Sequence, residues 1–170
     1  MVPQTEADRY ILQQVQAVLQ PGEQVLLCAY LAPIVGGGSK IGTFVQAATL
    51  MAALAALTDR RLILIQTRIG AFKPLLENHG IQSLDRQSVK GVFVGASLLL
   101  ELADGRMMEY QNNASKKDVS TQTEFFRQLP LLFGPSERAS RAAHKKKLQN
   151  LIGLALGVAI AAIYVWYRSH

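Results

Sequence analysis

The spacing of apolar positions changes several times along the chain, and each change marks an element. Near the start, Ile11, Val15, Val18 and Leu19 recur at helical spacing. Thr5 with Asp8 three residues later supplies an N-cap signature, and Pro21-Gly22 supplies a stop, so residues 1–22 hold a short amphipathic helix. A β-like run follows at 24–32, then the glycine-rich stretch Gly36-Gly37-Gly38-Ser39. Leu57 to Ile65 reads as two strands around the polar corner Thr58-Asp59-Arg60-Arg61. Strands are predicted at 81–86 and 89–96, with Gly91 and Gly95 marking bends or bulges. Leu98, Leu100 and Leu102 alternate cleanly into Asp104-Gly105, a strong hairpin signal, and Met108 and Tyr110 return on one face. Ser115-Lys116-Lys117-Asp118 forms a capping box that opens a helix carrying Val119, Phe125, Phe126 and Leu129, closed by Pro130.

About seven short strands followed by a helix fit a mainly β (α+β) domain, an antiparallel barrel or sandwich whose open end the helix plugs through Phe126 and Leu129.

Two stretches break the alternation, because each runs for 17 residues without a charge. Leu151–Tyr167 covers roughly 26 Å as a helix, close to the ~30 Å hydrocarbon core of a bilayer. Its eight strongly apolar residues contribute on the order of −2 to −5 kcal/mol to insertion. Tyr164, Trp166 and Tyr167 stand at its far end, where an aromatic interfacial belt belongs. Ile41–Leu57 is weaker: it holds six alanines together with Thr43, Gln46 and Thr49, so its insertion energy is near zero. A second span there would strip the 24–32 strand of its sheet and leave backbone groups unpaired. The expectation is a loop or short helix at 41–50 leading into a strand at 51–58. Ile41, Phe44 and Val45 of that loop are candidate membrane or partner contacts.

Charge sharpens this division. The net charge of +6 comes from 18 Lys and Arg against 12 Asp and Glu. Arg138, Arg141, Lys145, Lys146, Lys147 and Arg168 face no acid from 138 onward, which leaves residues 1–137 balanced at 12 bases against 12 acids. A balanced domain argues against a nucleic-acid partner, which needs a basic face on the fold. The basic cluster beside the span is a positive-inside signal that places the domain in the cytosol, and also a candidate contact for anionic lipid. The start of the chain has neither the basic nor the apolar region of a secretory signal, and no glycine at position 2 for myristoylation. The organisation read from this is a helix at 1–22, a domain at 23–133, a basic juxtamembrane linker at 134–148 and a transmembrane helix at 149–167. Gly153, Gly157 and Ala161 repeat every four residues and form a candidate helix–helix interface.

No catalytic or metal site emerges, and no cofactor is expected. Cys28 is the single cysteine and lies in an apolar run, which predicts a buried, inert thiol. His79, His144 and His170 lack metal-ligand spacing, and Asp85, Glu101 and Glu109 read as ordinary surface carboxylates.

The Leu-Thr-Asp-Arg-Arg-Leu-Ile run at 57–63 resembles the short motif of bacterial pleckstrin-homology-like domains of the YokE-type and GRAM-related kind. PGEQVLLCAY at 21–30, IQSLDRQSVKGV at 81–92, LLLELADGRMMEY at 98–110 and the helix after them match that layout, over roughly residues 5–133. The resemblance implies a PH-like binding module, of a kind often joined to membrane segments. Some pleckstrin-homology domains bind phosphoinositides through several basic residues in the first hairpin loop, but residues 33–50 here offer only Lys40. The expected function is therefore a membrane-anchored module that scaffolds protein–protein interaction or self-assembly. An accessory subunit of a larger membrane complex and an anionic-lipid binder are the alternatives.

Overall fold

In the computed structural model, which describes residues 4–33, 51–70, 73–95, 97–111 and 119–169, an antiparallel β domain is followed by one long helix. Helix α1 (Glu6–Gln16) opens the chain. Strands β1 (Val25–Pro33), β2 (Met51–Thr58), β3 (Arg61–Gly70), β4 (Lys73–Pro74), β5 (Ile81–Asp85), β6 (Val89–Val94), β7 (Ser97–Leu102) and β8 (Met107–Gln111) follow. Helices α2 (Gln122–Phe133) and α3 (Glu137–Ser169) complete the described elements. The two-residue β4 and the adjacent β5 share the outer edge of β3, so the eight strands occupy seven positions across the sheet. β1 belongs to two sheets at once, pairing with β2 along most of its length and with β8 at Ala32 and Pro33. The expected mainly β architecture of about seven antiparallel strands with a plugging helix is what the chain adopts.

The uncharged run that ends at Leu57 is explained by burial on two sides. Ala53, Ala55 and Leu57 of β2 face the interior with Leu62 and Leu64, where Phe125, Phe126, Leu129 and Phe133 of α2 close the core. Ala52, Leu54 and Ala56 point the other way and meet Ile11 and Val15 of α1, with Ile63 and Ile65 beside them. A strand covered on both faces has no solvent side to mark with polar residues, so alternation disappears. The strand predicted at 51–58 is β2; residues 41–50 lie outside the described part of the chain.

Local chemistry sets the element ends. The Thr5 hydroxyl accepts from Asp8 N–H at 3.1 Å while the Asp8 carboxylate accepts from Thr5 N–H at 3.0 Å, the predicted capping box. Asp8 also accepts from the Ser120 hydroxyl at 2.7 Å, tying α1 to the turn that leads into α2. α1 ends before Val18, which is partly exposed instead of packed on the helical face. Gly105, at φ 84, makes the β7–β8 turn possible, and the ladder shifts register between Val89 and Gly91, a bulge at the expected glycine. α2 departs from expectation at both ends. It begins at Gln122, with Val119–Thr121 forming a turn, and it runs through Pro130 to Phe133. Burying Phe133 together with Leu129 outweighs the single hydrogen bond that proline removes in the last turn.

The Thr58-Asp59-Arg60-Arg61 corner and the Pro21-Gly22-Glu23 segment form one polar knot. Arg61 grips the fully buried Glu23 carboxylate in a bidentate pair, with Nε and Nη2 both at 2.8 Å. The same carboxylate accepts from the Thr58 hydroxyl and from Gln20 N–H at 2.8 Å each, and Arg61 also donates to Val18 O at 2.7 Å. The end of α1 is thereby fastened to the β2–β3 corner. Arg60 stays outside, 3.8 Å from Asp59 and half-exposed. Arg61 serves the corner, with Glu23 as the partner that neutralises it.

The Arg61 hydrogen bonds, outweighing the cost of burial, hold the Glu23 carboxyl down to about 2. Unfolded glutamate takes its proton near 4.5, so this contribution to stability is complete above that pH and disappears as pH falls through 2. Acid denaturation should therefore show a stability loss between those limits. Glu23→Gln should lower the urea-unfolding free energy by about 3 kcal/mol and flatten that slope, because it leaves Arg61 unpaired. Adding Arg61→Met should return part of the loss.

Candidate functional site

Helix α3 combines a seat on the domain with an uncovered apolar surface. Its start is built on the outer strand β6. Val92 N–H donates to Gly134 O at 3.0 Å and Ser136 N–H donates to Val92 O at 2.9 Å, so residues 134–136 run along that edge as a short parallel bridge. The approach is close: a Cβ on Gly91 would lie 3.0 Å from Pro135 O and from Ser136 Cβ. Ser136 caps the helix, its hydroxyl accepting from Ala139 N–H at 2.9 Å, and donates to the carboxylate of Glu101 on β7. Lys90 Nζ and Arg138 Nη1 each stand 3.7 Å from the other oxygen of Glu101. The Ser136 hydrogen bond, aided by these two cations and opposed by burial, lowers the Glu101 pKa.

Glu101 therefore corrects its reading as a solvated carboxylate, because its side chain is 5 % exposed. Glu101 points to the face opposite Leu100 and Leu102, and the start of α3 covers it there. The linker read at 134–148 is helical from Glu137 onward and begins with this docked turn, Ala139 being completely buried. Beyond it, Arg141 lines an open groove of about 460 Å³ with Val92, Phe93 and Ser140. The His144 ring lies 6.4 Å from Phe93, centroid to centroid.

Of the predicted lipid contacts, Arg138 is engaged with Glu101, whereas Arg141, Lys145 and Lys147 are exposed along the helix. Lys146 lies on the same helix; Ile41, Phe44 and Val45 fall outside the described residues. From Leu151 to Arg168 every residue is exposed, with Leu154 at 67 % and Ile163 at 66 %. The helix is long and apolar enough to cross a membrane. Gly153, Gly157 and Ala161 lie along it with nothing against the two glycines.

A second open depression, of about 430 Å³, lies between the β2–β3 and β5–β6 turns and is lined by Asp59, Arg60, Asp85, Arg86 and Gln87. Both aspartates are engaged by backbone: Asp59 accepts from Gln24 N–H, just before β1, and Asp85 from Ser88 and Gln87 of its own turn. Cys28 is buried as expected, and burial, reinforced by the Asp8 charge, pushes its thiol up to about 12. Among the described residues no group of three or more His, Cys, Asp or Glu could hold a metal ion. Compared with known proteins, the chain matches no family model, no curated protein and no solved structure.

The sequence carried a signal for the missed contact: Ser136 followed by Glu137 is a helix start immediately after Gly134-Pro135. If the seat depends on the close approach at Gly91, Gly91→Val should detach the first turn of α3 while the β domain persists. Limited trypsinolysis should then cut at Arg138 and Arg141 several-fold faster than in the parent chain, with strand amide protection in β1–β3 unchanged.

Proposed function

We propose that this protein is a membrane-anchored, PH-like binding and scaffolding module working at the cytosolic face of a membrane. The observation that carries the reading is the uncovered part of α3. Seventeen consecutive uncharged residues project from the domain, and every one of them is exposed. Such a surface has no stable place in water, and lipid or other membrane helices would cover it. The basic residues at 141–147 precede the apolar run and the aromatics Tyr164, Trp166 and Tyr167 end it, the order expected for a span that begins in the cytosol.

The PH-like reading draws on two antiparallel sheets that share β1, on a helix closing the core, and on the 57–63 motif, whose Thr58 and Arg61 organise the corner. A binding role suits this architecture better than catalysis because the polar groups of the corner are consumed by structure. The partner is another protein or a second copy of the chain, with Gly153, Gly157 and Ala161 offering a close-packing stripe within the span. An accessory role in a larger membrane complex would use the same stripe against other helices. Anionic lipid is the second reading, favoured by the exposed Arg141, Lys145 and Lys147, each worth roughly 1 kcal/mol near a charged surface.

Leu156→Arg places a charge at mid-span at a cost of about 3 kcal/mol, and should move a large share of the protein out of the carbonate-resistant membrane fraction. Retention of that variant in the membrane would contradict the anchor. Crosslinking in intact membranes separates the partner readings. Products at twice the chain mass indicate self-assembly and heteromeric products an accessory role, while monomer alone would sink the scaffolding proposal.

A further inference from the structure

We infer that the direction of α3 decides which end of the second sheet meets the lipid: the β6–β7 turn and the end of β8 lie against the headgroups, and the β5–β6 and β7–β8 turns point away. This rests on the membrane reading of α3 and adds an orientation to it.

The helix starts over the β7–β8 half of that sheet and runs toward the opposite end. Ser136 bonds Glu101, one residue before β7 ends, and Arg138 reaches the β7–β8 turn, with Nη1 3.6 Å from where a Cβ on Gly105 would stand. Six residues further on, His144 meets Phe93, which pairs with Leu99 toward the opposite end. Over that interval the helix rises about 9 Å along its own axis, and its contacts move toward the β6–β7 turn. It then continues unbroken to Ser169, so its heading is kept.

Heights follow from the helix rise. Leu151 lies seven residues beyond His144, about 10 Å along the axis. Ser97 lies two strand pairs beyond Leu99, about 7 Å closer to the membrane along the sheet. The β6–β7 turn thus reaches the polar headgroup layer, whose thickness is roughly 5–8 Å on each side of the hydrocarbon core.

The chemistry of that end suits an anionic lipid surface. The described residues from Phe93 to Leu98 carry no charge, and the nearby acid, Glu109, accepts from the Ser97 hydroxyl at 3.2 Å. After Glu137, α3 presents Arg141, His144, Lys145 and Lys147, and the sequence from 138 onward holds no acid. The far end carries Asp85 and Asp104 beside Arg86 and Arg106, so it is balanced in charge and lacks the basic excess that α3 brings to the near end.

Single cysteines placed at Ser97→Cys and at Gln87→Cys in the full chain provide the test, since burial leaves Cys28 unlabelled. Each variant is labelled with a small fluorophore and reconstituted into phosphatidylcholine–phosphatidylglycerol vesicles containing a headgroup nitroxide lipid, and flotation is scored on the same samples. The label at 97 should be quenched at least about twofold more than the label at 87, given the headgroup-layer thickness. Replacing Gln149 and Asn150 by glycines should bring the two values together. Equal or reversed quenching in floating vesicles overturns the orientation alone, whereas failure to float overturns the membrane reading and the orientation with it. A preference that survives the glycine pair overturns helix direction as its cause.

Discussion

Ser136 places one hydroxyl between two demands. It caps the first turn of α3, and it satisfies a carboxylate that β7 buries beneath that turn. Neither group would be stable alone. An uncapped helix start leaves backbone donors without acceptors, and a buried glutamate without donors carries a heavy desolvation cost. Joined, they fix α3 to the domain at a defined place, and the edge hydrogen bonds of Val92 fix the approach of the chain just before it. The position of everything beyond residue 139 follows from this seat. Gly91 suits this close approach, since a Cβ there would stand 3.0 Å from Pro135 O and from Ser136 Cβ and would push on the seat.

The domain can offer such a seat because its other faces are already committed. α1 covers one side of β1–β3, and α2 closes the interior on the other. The Glu23–Arg61 pair locks the end of α1 to the corner that begins β3. The outer surface of β6 and β7 is what remains for α3. The same commitments explain why the 57–63 motif is poor evidence for a ligand. Thr58 and Arg61 spend their hydrogen bonds on the corner, and the exposed Asp59 and Arg60 stand 3.8 Å apart.

The parts of this arrangement that depend on neighbours in sequence were legible. The Thr5–Asp8 cap, the Asp104-Gly105 turn, the bulge at Gly91 and the alternation of Leu98, Leu100 and Leu102 each follow from a few adjacent residues. The parts that depend on distant covering were not. Glu101 reads as a surface acid until residue 136, 35 positions later, lies over it. Glu23 gives no hint of its partner 38 positions away. Pro130 illustrates the reverse error: a local stop signal yields when Leu129 and Phe133 gain more from burial than the helix loses. Among the candidate contacts chosen by charge, Arg138 stands 3.7 Å from Glu101 on the seat, and Arg141, Lys145 and Lys147 are exposed beyond it.

A helical connection makes a different kind of anchor from the linker that the basic composition suggested. A dozen flexible residues would let a domain sample most orientations above a membrane, and its binding surfaces would meet partners at an averaged height. The same dozen residues as a helix hold the domain at one height and with one end down, on the proposed membrane reading. The entropy of ordering the domain is then met once, during folding, and need not be met again when a partner arrives. On that reading, association within the membrane plane is favoured, because each copy presents the same surface at the same level. It also links the two halves mechanically: a force or a partner acting on the span would be felt first at Ser136, Glu101 and Arg138, where the helix leaves the sheet.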